Sequence, residues 1–136
     1  MAVAEDVVGY LARKADKKQV KLHVDASVVP PTMRADRSAL FILLKNIVEN
    51  AINATPAFGS VTVLVDDKTI RIQDEGSGVN PEYLPFVFER FWRAPNARHD
   101  GAGLGLAICR EIALAHAWQL TVRRLTPGTE FIVWCS

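Results

Sequence analysis

Only two of the 136 residues are cysteine, and Cys109 and Cys135 stand in neither a metal-ligand spacing nor a disulfide framework. A reducing compartment suits such a chain. Histidine is as sparse: His23, His99 and His116 are too far apart in sequence to suggest a ligand cluster, and each reads as a surface or helix-end residue. Neither sign of charge dominates, with 16 Lys and Arg against 15 Asp and Glu. The bases are scattered, which leaves no electrostatic footprint for nucleic acid or anionic lipid. No apolar run approaches a membrane span, and Met1-Ala2-Val3-Ala4-Glu5-Asp6 lacks the basic region and apolar core of a signal peptide. Internal repeats and low-complexity segments are missing too. What is there is 49% hydrophobic residues, enough to bury one proper core, so a soluble single domain over 1–136 is expected.

Val7, Val8, Leu11 and Ala15 recur at helical spacing between about Val3 and Lys18, predicting an amphipathic helix. Lys21-Leu22-His23-Val24 alternates like a short strand, and Pro30-Pro31 forces an extended connection. A second helix starts after Asp36, a good N-cap, and runs to about Ala54 before Pro56 and Gly59. Val61, Val63 and Val65 alternate, Asp66-Asp67 turns the chain, and Ile70 and Ile72 alternate again, which predicts a β-hairpin. From Val79 to Ala102 periodicity vanishes among Pro81, Pro85 and Pro95; a loop of this length in a compact domain is usually functional or disordered. A third helix from Gly103 to about Ala117 and two strands, Leu120 to Leu125 and Thr129 to Trp134, complete the chain. Hairpin-joined strands must be antiparallel. The expected fold class is therefore α+β, a two-layer α/β sandwich with a mixed, mostly antiparallel sheet covered on one face by three helices.

Asn46, Glu49, Asn50 and Asn53 fall at i, i+3, i+4 and i+7 of the second helix, forming one polar stripe opposite the leucines. Asparagine is a poor helix former, so three on one stripe ask for a use. An amide oxygen from Asn50 suits a hard cation such as Mg²⁺, which shares its ligands with phosphate and water. Asp74 follows a predicted strand and precedes Gly76 and Gly78. A buried carboxylate there could accept a hydrogen bond from the exocyclic amine of adenine, where guanine presents a carbonyl; taken alone, the same composition also suits a plain turn. Arg90 and Arg93, in Phe86-Val87-Phe88-Glu89-Arg90-Phe91-Trp92-Arg93, are spaced for one helical face and could reach a triphosphate, while the aromatics could simply cover the core. In Gly101-Ala102-Gly103-Leu104-Gly105-Leu106 the alternate glycines open into an apolar helix, which lets backbone N–H groups approach an anion.

In the order Asn-x-x-x-Asn-Ala, Asp-x-Gly-x-Gly, Phe-Glu-Arg-Phe, Gly-x-Gly-Leu-Gly-Leu, these motifs closely resemble the ATP-binding catalytic domain of bacterial two-component sensor histidine kinases, over about Asp36 to Trp134. The resemblance implies the fold shared with gyrase B, the heat-shock chaperones of ninety kilodaltons and the mismatch-repair ATPases. By it, Asn46, Asn50 and Asn53 lie on the asparagine-box helix, with Asn50 the Mg²⁺ ligand. Asp74, Gly76 and Gly78 match the adenine box, and Phe88 through Phe91 the phenylalanine box. Gly101, Gly103, Leu104, Gly105 and Leu106 match the second glycine box, and 79–102 becomes a lid over ATP. Asn53 and Ala54 replace the basic and aromatic residues common in the family, and Ala117-Trp118 replaces a usual Gly-Gly.

The function so implied is binding of Mg-ATP and donation of its γ-phosphate to a histidine on a separate dimerisation and phosphoacceptor domain, for relay to a response regulator. Asn46, Glu49, Arg90 and Arg93 are the candidate catalytic residues. No His followed closely by acid, Arg and Pro precedes Asp36, so the acceptor is expected on another module, and the chain to be the cytoplasmic part of a membrane-bound sensor without direct membrane contact of its own. Two alternatives remain at this stage. A gyrase- or chaperone-type hydrolase would carry a glutamate where this chain has Asn46, an amide that cannot accept a proton. A nucleotide-sensing module without transfer activity would share the same binding motifs.

Overall fold

The computed structural model describes residues 2–26, 36–66, 68–76, 87–88 and 105–135. Helices α1 (Ala2–Lys18), α2 (Arg37–Ala54) and α3 (Gly105–Ala115) alternate with strands β1 (Lys21–Ala26), β2 (Ser60–Val65), β3 (Thr69–Gln73), β4 (Gln119–Arg124) and β5 (Thr129–Trp134). The sheet order is β1-β2-β3-β5-β4. Among the described strands only β1 and β2 run parallel, Lys21 opposite Ser60 through Ala26 opposite Val65, and α2 makes the crossover between them; the other three pairings are antiparallel. The expected mixed sandwich is therefore the fold, and every predicted element is present within two residues at the ends that can be compared.

The hairpin forms because Val61, Val63 and Val65 point to one face while Asp66 organises the turn, its carboxylate accepting from Lys68 N at 2.8 Å and Thr69 N at 2.7 Å. These amide bonds hold the Asp66 carboxyl below its ordinary range. The valines join Ile70, Ile72, Phe131 and Val133 in one core against Val7, Leu11, Leu43, Leu44, Ile47, Val48, Ala51 and Cys109 from the helices. Val87 is buried and Phe88 stands edge-on to Phe131 with ring centroids 5.9 Å apart, so this part of the aromatic segment packs on the core. Burial pushes the Cys109 thiol up to about 12, and its Sγ lies 3.4 Å from Leu43 O; it is a core residue rather than a nucleophile.

Contacts along α2 define its neighbours' directions. Tyr10 meets Phe41, Lys14 meets Glu49 and Lys18 meets Ile52, so α1 runs parallel to α2. On its other side Gly105 meets Asn46, Cys109 meets Leu43 and His116 meets Asp36, so α3 runs antiparallel. Helix α3 ends where Ala117 turns left-handed at φ 56°, a position that favours glycine. Replacing Ala117 with Gly should raise stability by about 0.5–1 kcal/mol, the relieved strain exceeding the added unfolded-chain entropy. Chemical denaturation would read this, and a lower midpoint would show that Ala117 is unstrained.

Candidate functional site

Helix α2 begins as its sequence requires: Asp36 adopts the extended N-cap conformation and its Oδ1 accepts from Ala39 N at 3.1 Å. The helix buries Leu40, Leu43, Leu44, Ile47, Val48, Ala51 and Ile52, which turns Asn46, Glu49, Asn50 and Asn53 outward, each half-buried. A merely solvated face would leave them exposed. The stripe is divided, however, between the two flanking helices. Asn46 faces α3, where a Cβ on Gly105 would lie 3.3 Å from its Oδ1. Glu49 faces α1, its Oε2 3.4 Å from Lys14 Nζ. Among the described residues, then, the structure sets Asn46 beside the start of α3 but pairs the candidate base Glu49 with a lysine of a different helix.

The end of α2 is fixed from two sides. Lys18 Nζ donates to Ile52 O at 2.9 Å and to Asn53 O at 2.5 Å, placing a cation at the negative end of the helix dipole. Partial burial, then the nearby Lys14 charge, lower the Lys18 ammonium's pKa from its ordinary value. Thr55, fully buried, donates from Oγ1 to Ala51 O at 2.8 Å and accepts from Glu75 N at 3.3 Å. That draws the segment after β3 onto the helix end. Gly76 completes the contact, since a Cβ there would stand 2.6 Å from Ala54 O; no larger residue permits this approach.

Asp74 lies between these contacts and is 4% exposed. Its Oδ1 accepts from Gly76 N at 2.9 Å and from Thr129 N at 3.1 Å. Its own N–H donates to Thr129 O at 3.0 Å, extending the β3–β5 ladder. Among the described residues no donor lies on Oδ2. Burial raises the Asp74 pKa, and the Gly76 and Thr129 amide bonds oppose that rise. The carboxylate is thus held in one orientation by backbone, one oxygen committed to the protein and the other able to serve a ligand amine. Gly128 makes the arrangement sterically feasible: it has φ 104°, and a Cβ would fall 1.9 Å from Asp74 O.

Two sequence segments therefore meet α2, Asp74 to Gly76 at its end and Gly105 at Asn46, while Gly128-Thr129 backs Asp74. Leu106, half-buried, packs on the core beside α3's first turn. Phe88 is directed into the core through Phe131. Gly78, Arg90, Arg93, Gly101, Gly103 and Leu104, with the lid at 79–102 apart from 87–88, lie outside the described residues. Sequence reading missed Thr55, Gly128 and Thr129 as site residues. Thr126-Pro127-Gly128 reads only as a turn, and the glycine inside it was the available signal.

Comparison with known proteins places this geometry. The family model described as histidine kinase-, DNA gyrase B-, and HSP90-like ATPase matches residues 35–136. The histidine-protein kinase/phosphatase MprB of Mycobacterium avium is 32% identical over 129 residues, covering 90% of this chain and 25% of that protein. Sensor protein kinase PmrB of Pseudomonas aeruginosa is 36% identical over 119 residues, covering 84% of this chain and 24% of that protein. The chain thus spans about a quarter of the length of these relatives. Among solved structures, the mycobacterial sensor histidine kinase MprB superposes with a TM-score of 0.86 at 29% identity, covering 97% of this chain and 91% of that one. Full-length ShkA in complex with AMPPNP superposes with a TM-score of 0.81 at 30% identity, over 97% of this chain and 28% of that one. With sensor kinases as its relatives and Gly76 and Gly105 both packed on the helix that bears Asn46, the chain belongs to the histidine kinase-, DNA gyrase B- and HSP90-like ATPase family, as a catalytic domain of the histidine kinase type.

Proposed function

We propose that the domain binds Mg-ATP with adenine against Asp74 and phosphates toward Asn46, Asn50 and the start of α3. It would present the γ-phosphate to a histidine on a separate dimerisation and phosphoacceptor domain of a longer, membrane-anchored sensor, with a response regulator as the final acceptor. The observation that carries this reading is the Asp74 carboxylate, buried and oriented by two backbone amides on Oδ1, with no donor on Oδ2 among the described residues. An acceptor so placed matches the adenine amine and opposes the guanine carbonyl.

The residues fit a magnesium ion of the kind shared with a nucleotide. Asn46 and Asn50 supply neutral amide oxygens on one half-buried face, and no group of three or more His, Cys, Asp or Glu side chains gathers among the described residues. Such an ion would rely on Asn50, phosphate oxygens and water, and when bound it would neutralise charge on the phosphates. Asn46 orients without taking a proton. Glu49, engaged with Lys14, would need to leave that pair to act as a base. These features favour transfer to an external acceptor over gyrase-type hydrolysis, and MprB and PmrB are named as sensor kinases.

Titration calorimetry with ATP and GTP, each with Mg²⁺ and with chelator, tests the assignment. ATP should bind at least about tenfold more tightly than GTP, the value of one good polar contact. Asn50→Ala should lower ATP affinity by about tenfold in Mg²⁺, matching the loss of one charged-group contact, and leave affinity in chelator unchanged. An equal loss in both conditions removes Asn50 from the metal; equal ATP and GTP affinity removes adenine from Asp74.

A further inference from the structure

His116, at the end of α3, bonds through both ring nitrogens. Nδ1 lies 2.8 Å from Ile112 O, and Nε2 lies 3.2 Å from the backbone N of Asp36. A carbonyl only accepts and an amide N–H only donates, so the ring is neutral with its proton on Nδ1. Trp118 fixes its plane, stacking at 4.4 Å and 23° beyond the left-handed Ala117. The Asp36 amide belongs to the N-cap of α2. His116 therefore joins the first turn of the asparagine-bearing helix to the last turn of the glycine-box helix, across 80 positions of sequence. At the other end of this antiparallel pair, ten residues or about 15 Å along α2, Gly105 rests on Asn46.

We propose that His116 is a positioning residue for the nucleotide site, holding α3 in register with α2 only as a neutral imidazole. This rests on the nucleotide reading above for its consequence, though not for its geometry. Protonation would put an N–H on Nε2 facing the Asp36 N–H, two donors with no acceptor between them. The charged residues adjacent to these contacts along the described elements are Asp36 and Arg37 at the start of α2 and Glu111 on α3; Gln119, the first residue of β4, is uncharged. Of these, the Asp36 carboxylate, now bonded to Ala39 N, would attract the imidazolium away from the amide, as would the α3 carbonyl end. The ring would exchange the amide contact for the carboxylate, so the tie at this end would move from the Asp36 backbone to its side chain and the register of the helix pair would change. Movement there shifts the Asn46–Gly105 join because both helices are rigid elements.

Nitrogen-detected NMR of the full 136-residue chain without nucleotide tests the geometry. At pH 8 His116 should carry its proton on Nδ1. On titration, the Asp36 backbone amide and the Asn46 side-chain amide should move with the His116 midpoint, while His116→Gln, whose amide oxygen can still accept from Asp36 N, should keep the high-pH positions throughout. Affinity for a non-hydrolysable ATP analogue should then fall about fivefold more in wild type than in His116→Gln between pH 8 and pH 5.5, at the low end of coupling between separated sites. An Nε2–H tautomer at pH 8, or an Asn46 amide that ignores the His116 titration, overturns the proposal. Chain that binds no analogue at any pH, yet shows coupled Asn46 shifts, overturns the nucleotide reading alone.

Discussion

Asp74→Asn should weaken ATP binding about ten- to hundredfold, the value of a hydrogen bond to a charged group, while the domain keeps its fold. Asparagine preserves an oxygen for Gly76 N and Thr129 N, the two donors on Oδ1, and replaces Oδ2 with an NH₂ group that would face the adenine amine donor to donor. Alanine is the less informative change, because it strands both amides in the interior at about 1–3 kcal/mol each. A pH dependence accompanies this. Burial raises the pKa of Asp74 above the ordinary carboxylate value, so between those two values the folded state holds the proton more than the unfolded state does. Stability therefore declines as pH rises through that window. A ligand amine on Oδ2 favours the ionised form, so ATP affinity should decline as pH falls through the folded pKa and should be flat across it in Asp74→Asn. Calorimetry on both proteins measures the two effects; unchanged affinity in the variant would detach adenine from Asp74.

How far the sequence carried this site depended on the range of the contacts. Asp36 as N-cap, the valine hairpin and the asparagine face of α2 are local patterns, and all are present as read. The stripe itself was less uniform than its spacing implied: periodicity places Asn46 and Glu49 on one side of a helix but says nothing of which neighbour each meets. Lys14 claims Glu49 and α3 receives Asn46 only because α1 and α2 run parallel while α3 runs against them. Thr129 was equally hidden, since its role comes from the register that brings β5 alongside β3, 55 positions from Asp74. His116 read as a helix-end residue, which it is; its second bond reaches a residue no local window contains. Glu130 shows the limit from the other direction. The run Thr129 to Trp134 reads as a strand, yet nothing local shows that Glu130 within it is fully buried, held by Gln73 Nε2 at 2.5 Å and Arg123 Nε at 2.6 Å. Those partners sit on β3 and β4, and only sheet order makes them its neighbours.

Gly128→Ala should be the most damaging added methyl among the described glycines. At φ 104° the added Cβ would stand 1.9 Å from Asp74 O and 2.8 Å from Asp74 C, backbone atoms that cannot rotate aside. One strand end must move. The bonds at risk are Asp74 N to Thr129 O and Thr129 N to Asp74 Oδ1, so the loss combines a strained dihedral with two buried hydrogen bonds, about 3 kcal/mol or more. For a domain of this size that is a fall of about 10 °C in Tm, and ATP binding should go with it because the same bonds aim the carboxylate. Gly9 supplies the contrast. It lies mid-helix in α1, where an added methyl would meet nothing within 4 Å, so Gly9→Ala should stabilise by about 0.5–1 kcal/mol through helix propensity alone. Thermal unfolding and calorimetry on the pair, set beside Asp74→Asn, separate two roles: Asp74→Asn loses affinity with its Tm kept, and Gly128→Ala loses both. Should Gly128→Ala melt with wild type and bind ATP as tightly, the turn before β5 would be free to yield, and Asp74 would owe its orientation to something other than the Gly128-Thr129 backbone.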